Sequence, residues 1–161
     1  MRKLFVSLLA VVTLGLGSAM AQDAFGNTVE LSPDYYAGVA GGLNYRSAAF
    51  FMHFGISDLI TDGIGTRFSL LYNGAFGLGA DVIANLPINT GNAPLGIYAG
   101  AGLGMLFVPR STAVNIGVLL GAEYRFAGFQ EGGLFVELGP AFSITGHGNA
   151  FNLKAGFNYH F

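Results

Sequence analysis

Cysteine and tryptophan are both absent from the 161 residues of this chain, and charge is scarce: Asp, Glu, Lys and Arg together make up 10%. Without cysteine there is no disulfide, no thiolate nucleophile and no thiolate metal site. Soluble domains carry roughly 25% charged residues, so this chain has too few charges to cover a surface that faces water. The formal net charge of −2 leaves no basic footprint, and nucleic acid is not an expected partner. Beyond the first segment, no uninterrupted apolar run is long enough to cross a bilayer as a helix. What the chain has instead is 52% hydrophobic residues, 26 glycines and 15 phenylalanines. The glycines follow no G-X-Y period, which excludes collagen, and the hydrophobic content argues against disorder.

Residues 1–21, MRKLFVSLLAVVTLGLGSAMA, read as an export signal. Arg2 and Lys3 form a positive start, Leu4 to Leu16 a short apolar stretch, and Ala19-Met20-Ala21 a small-x-small cleavage site that places the mature start at Gln22. A retained membrane helix needs about 20 apolar residues, more than this run offers. The polar segment 22–33 is expected to be a periplasmic arm, and 34–161 a single domain.

From Tyr35 onward the chain alternates with period two, the signature of β-strands. Tyr35, Ala37, Val39, Gly41 and Leu43 alternate with Tyr36, Gly38, Ala40, Gly42 and Asn44. Seven further runs repeat the scheme, beginning near Phe50, Thr66, Phe76, Leu95, Val114, Leu134 and Phe151. In each, one face is apolar and the other is small or polar; Leu71 is an exception. Turn-type residues separate most runs: Asp62-Gly63, Asn73-Gly74, Pro87 through Pro94, Pro109 to Ser111, Gly128 to Gly133 and Gly146 to Asn149. The first two runs join through Ser47 and Ala48, a weaker signal. Pro140 lacks an N–H, so a bulge or a missing ladder bond is expected there. Eight runs of this kind predict an all-β, eight-stranded, antiparallel up-and-down barrel.

Alternation alone leaves two barrels open. A soluble ligand-binding barrel turns its apolar face inward; a membrane barrel turns it to lipid. The polar set here is mostly Gly, Asn and Ser, rather than the Lys and Glu that a water-facing surface needs. Small residues suit the interior of an eight-stranded barrel, just wide enough for side chains to fill. Aromatic placement agrees: Tyr36, Tyr124, Phe126, Tyr159 and Phe161 fall at one end of the runs, and Phe50, Tyr72, Phe76 and Phe107 at the other, as in the girdles of a membrane barrel.

The last run, AFNLKAGFNYHF, resembles the C-terminal signature of bacterial outer-membrane barrels, with Phe161 last, Tyr159 two before it and Phe157 continuing the alternation. The whole mature chain resembles the small eight-stranded group, the OmpA/OmpX/opacity-like barrels. The resemblance implies residence in the bacterial outer membrane, contact with outer-membrane lipid, and handling by periplasmic chaperones and the barrel-assembly machinery, which reads the terminal strand. It implies no cofactor and no catalytic residue. In that group the periplasmic turns are short and the outer loops long. Here the inferred outer connections (Arg46 to Ala49, Asn73 to Ala75, Pro109 to Thr112, Thr145 to Asn149) are short, and the inferred periplasmic connection Leu86 to Pro94 is longer. That departure weakens an adhesin or receptor role, since long loops carry such functions.

The hairpin at Asn73-Gly74-Ala75 sets a register that puts Arg67 opposite Asp81 inside the barrel, where an ion pair is expected. The same reasoning gathers Glu123 and Glu137, with Arg125 and Lys154 compensating. Paired carboxylates also serve acid–base catalysis, but two nearby bases favour a neutralised lumen cluster. His53, His147 and His160 have no ligand-type spacing, and no metal is expected. Gly100-Ala101-Gly102-Leu103-Gly104 is followed by no helix and reads as an interior glycine stripe rather than a phosphate loop. No G-x-S-x-G, H-E-x-x-H or H-x-S motif occurs. The reading favoured is a non-enzymatic, envelope-stabilising membrane barrel with a filled lumen. A narrow pore or carrier for small solutes is the alternative; a lipid-acting enzyme and a soluble binding barrel rank behind it.

Overall fold

The computed structural model describes residues 34–44, 47–88, 94–146 and 148–161. The expected export signal, with Ala19, Ala21 and Gln22, and the arm at 22–33 lie outside the described residues. The alternating runs become eight strands: β1 (Tyr35–Asn44), β2 (Ser47–Thr61), β3 (Ile64–Tyr72), β4 (Phe76–Leu86), β5 (Leu95–Val108), β6 (Ser111–Phe126), β7 (Phe129–Ser143) and β8 (Ala150–His160). Each pairs antiparallel with the next, and β1 pairs with β8, closing the barrel. Closure leaves no strand edge unpaired. Strand lengths are uneven: β2, β5, β6 and β7 run to 15, 14, 16 and 15 residues, β1, β3, β4 and β8 to 10, 9, 11 and 11.

The apolar face points outward on every strand. Phe68 and Tyr72 are 60% and 61% exposed, and Val39, Met52, Leu120, Val136 and Phe151 are exposed as well. Among the described residues no protein layer covers this band. The outward aromatic ends pack as girdles: Phe76 stacks on Phe107 at one end, and at the other Phe129 stacks on Phe157 while Tyr159 meets Phe161 edge to face. Tyr36 is a correction. It is buried in the lumen, and its neighbour Tyr35 takes the outer position, 6.1 Å from Phe54. Position along the run suggested a girdle, but parity decides the face.

Inside, large and small residues are paired across strands. Tyr36 lies opposite Gly55, His53 opposite Gly38, Asp81 opposite Gly102, Ser69 opposite Gly79 and Tyr98 opposite Gly121. A Cβ at any of these glycines would collide with its partner's side chain. The interior glycines are therefore seats for bulky neighbours, which lets a narrow barrel hold rings and charges. Leu71 breaks the alternation because it turns inward, onto the buried cluster of Ala40, Ala49, Phe51 and Phe135.

Local irregularities have local causes. β2 begins at Ser47, so Ser47 and Ala48 already belong to it, paired with Asn44 and Leu43. The β2–β3 register shifts between Ile56 and Thr61, where Asp58 has φ 52° and its carboxylate accepts the Gly63 N–H at 2.5 Å. At Pro140 there is no bulge toward β8, where it pairs with Phe151. Toward β6 the ladder is interrupted between Gly117↔Ala141 and Leu120↔Leu138, with the register kept, as expected of a residue with no N–H to donate.

Gly121→Ala should cost about 1–3 kcal/mol of barrel stability, because the Tyr98 ring is held in place by its hydroxyl bond to Glu137. Gly41→Ala, which opens onto free space outside, should cost nothing. Urea unfolding of both variants in detergent checks the contrast.

Candidate functional site

The middle of the lumen is an ion cluster. Register places Arg67 of β3 opposite Asp81 of β4, and the Arg67 Nη2 and Nε donate to Asp81 Oδ2 at 2.9 and 3.1 Å. The remaining face of the guanidinium reaches the opposite wall. Its Nη1 donates to Glu137 Oε1 of β7, and its Nη2 to Glu137 Oε2 at 3.1 Å. Lys154 Nζ of β8 meets Glu137 Oε2 at 2.6 Å, and the Tyr98 hydroxyl donates to Glu137 Oε1 at 2.8 Å. Arg67 and Glu137 are 2% and 1% exposed. Two cations face two carboxylates, so the cluster is neutral. Only a planar fork with five donors can bond both walls at once, which is why arginine rather than lysine sits at the centre. Lys154 also lies 5.3 Å from the centre of the Phe51 ring, a cation–π contact on the apolar belt beside the cluster.

Toward the end where the described chain begins and finishes, a second cluster lines the mouth. Glu123 accepts from Asn158 Nδ2 at 2.6 Å and from His160 Nε2 at 2.7 Å, with Arg125 Nε at 3.5 Å. Because Asn158 Nδ2 donates, its Oδ1 must accept, so His53 Nε2, 2.8 Å away, carries the proton. At the other end three carboxamides form a relay: Asn73 Nδ2 donates to Asn44 Oδ1 at 3.0 Å, and Asn44 Nδ2 to Asn152 Oδ1 at 2.7 Å.

Two cavities remain. One of about 350 Å³ lies behind the mouth, lined by Tyr36, Arg67, Tyr98, Glu123, Arg125 and His160 among others. One of about 120 Å³ lies toward the asparagine relay, lined by Asn44, Asp81, Glu137, Asn152 and Lys154 among others. The Arg67–Glu137 contact stands between them.

This architecture recurs in solved structures. The N-terminal β-barrel domain of Pseudomonas aeruginosa OprF superposes with a TM-score of 0.61 at 16% identity, over 80% of this chain and 97% of that one. A chain from a de novo design of transmembrane β-barrels gives 0.52 at 17% identity, over 80% and 95%. This chain has the fold of a small transmembrane β-barrel. Neisserial surface protein A also matches, at a TM-score of 0.50 and 17% identity, over 80% of this chain and 96% of that one. At these identities the likeness concerns fold alone. The sequence matches no family model and no curated protein.

Within this barrel the expected lumen residues fall into two groups rather than one. Glu123 and Glu137 share no partner: Glu137 lies opposite Gly121, not Glu123, and turns across the lumen to Arg67. Glu123 belongs to the mouth with His160 and Asn158. Arg125 is 43% exposed at its side chain and sits at the rim rather than in the closed lumen. Lys154 serves Glu137. His147 lies outside the described residues. Phe157, Tyr159 and Phe161 point outward along one side of the β8 end, beside Phe129. The alternation did not reveal Tyr98 as a partner of Glu137, nor the asparagine relay; the sequence signal for the latter was the run of inward-facing asparagines at strand ends.

Glu137→Gln should destabilise the barrel by about 3–5 kcal/mol, because it leaves Lys154 buried without a counter-charge. Adding Lys154→Met should recover a large part of that loss. A double-mutant cycle in urea measures both.

Proposed function

We propose that this protein is an outer-membrane barrel with a closed lumen and no enzymatic activity, acting as a structural element of the cell envelope. The observation that carries the reading is the Arg67–Asp81–Glu137–Lys154 cluster, bonded to both walls and flanked by two separate cavities. A solute crossing the barrel would have to break several charge-assisted bonds in a low-dielectric interior, each stronger than a neutral hydrogen bond. Among the described residues the charged groups of the lumen are bonded to one another, which supports a structural role for them. The exposed apolar band is matched to lipid.

The fold shared with OprF and Neisserial surface protein A, together with the export signal read at 1–21, supports residence in the outer membrane. In this reading Ala19 and Ala21 direct cleavage before Gln22, segment 22–33 stays in the periplasm, and Phe157, Tyr159 and Phe161 present the terminal strand to periplasmic chaperones and the assembly machinery.

The two cavities favour a second reading, a narrow carrier for small solutes in which the cluster opens transiently. Planar-bilayer recording separates the two. The purified barrel should show no steady conductance steps; reproducible steps would overturn the closed-lumen reading in favour of the carrier. Phe161→Ala should lower the amount of heat-modifiable folded barrel in the membrane fraction several-fold, read on an unboiled gel.

A further inference from the structure

The mouth cluster contains a side chain with two competing partners on one atom. His160 Nε2 is 2.7 Å from Glu123 Oε1, and His160 Nδ1 is 2.9 Å from Arg125 Nη2. A guanidinium has no lone pair to accept with. Nδ1 must therefore be the acceptor, and this arrangement belongs to the neutral, Nε2–H imidazole. The same Nδ1 also lies 3.4 Å from Asp34 Oδ2, and Arg125 Nη2 is 3.7 Å from that oxygen. Between two acceptors that would otherwise repel, the guanidinium is the bridge.

Protonation inverts this arrangement. A proton on Nδ1 faces the Arg125 cation at hydrogen-bond distance and a carboxylate half an ångström further away. The ring cannot retreat: it is buried, stacked on Tyr36 at 5.4 Å and tied to Glu123. Arg125 can, because its side chain is 43% exposed and its own contacts with Glu123 and Asp34 are long, 3.5 and 3.7 Å. We infer that His160 is an acid-operated clasp: protonation exchanges Arg125 for Asp34 at Nδ1, releases the guanidinium toward solvent, and ties the start of β1 to the end of β8.

The exchange occurs at the seam where the barrel closes. Tyr36 and His160 are the first cross-strand pair of β1 and β8, and just beyond it the Phe161 N–H donates to Tyr35 O at 2.8 Å. The described groups facing the ring are Asp34 ahead of β1, Tyr36 of β1, and Glu123 and Arg125 of β6; Arg67 shares the cavity behind it. On β7, Glu131 is exposed one residue before Gly132, which pairs with Tyr159. With a neutral ring, the rim holds the two carboxylates of Asp34 and Glu123 against the single cation of Arg125. One proton on His160 balances them.

The test is a pH titration of the folded full-length barrel in detergent, reading the His160 ring nitrogens by NMR. At high pH the ring should be the Nε2–H tautomer. Asp34→Asn removes the carboxylate that takes Arg125's place at Nδ1, so the acid response of the wild type should be lost in that variant. In the wild type alone, protection of the Phe161 amide against exchange should rise about threefold on acidification, relative to the unstructured rate at each pH. The same acid response in Asp34→Asn, an Nδ1–H tautomer at high pH, or flat Phe161 protection in the wild type would each overturn the clasp.

Discussion

Every backbone N–H and C=O at the depth of a lipid tail must find its partner within the protein, because the solvent there offers none. For a chain whose strands alternate, closure of the sheet on itself is the only arrangement that meets this demand, and the pairing of β1 with β8 is where it is met. Much else follows. A closed sheet of eight strands is narrow, so its inner face must take up all inward side chains without voids or unpaired charge. Its outer face, having no further layer to bind, must be apolar.

The interior solves its volume problem by cross-strand complementarity. A ring or a charged head from one strand occupies the space that a glycine leaves on the next, so the abundance of glycine reflects packing rather than flexibility. This also explains how two aromatic hydroxyls, a guanidinium and an ammonium fit within one lumen. The ionic groups then hold the two walls in fixed relation: Arg67 and Glu137 come from strands four places apart in the ring, so their bond spans the full width of the barrel.

How far the sequence alone could reach depended on how local each feature is. The strands were visible from Tyr35 to Phe161 because parity is a property of neighbours. Arg67 opposite Asp81 followed from one tight hairpin, Asn73-Gly74-Ala75, whose register needs no knowledge of the rest. Glu137 was harder: its partner is reached across the lumen, and that contact depends on the tilt and stagger of the whole sheet. Hence it was grouped with Glu123, its near neighbour on the adjoining strand. Tyr36 was misplaced for a simpler reason, since Tyr35 and Tyr36 stand side by side at a strand start and only one can face lipid. The relay through Asn73, Asn44 and Asn152 draws on a turn and two strands brought together only by closure.

The unequal strands carry a consequence for the surrounding bilayer. At roughly 3.3 Å per residue, β2 and the wall of β5, β6 and β7, at 14 to 16 residues, outreach the 9- to 11-residue strands β1, β3, β4 and β8 by about 10 Å or more along the strand direction. Hydrocarbon thickness beside a protein adjusts only at an energetic cost that grows with each ångström of mismatch. A cylinder whose long strands stand on opposite sides of the ring, β2 across from β5 to β7, therefore asks for a different bilayer depth at different points of its circumference, and the lipids beside its shorter strands thin to meet it.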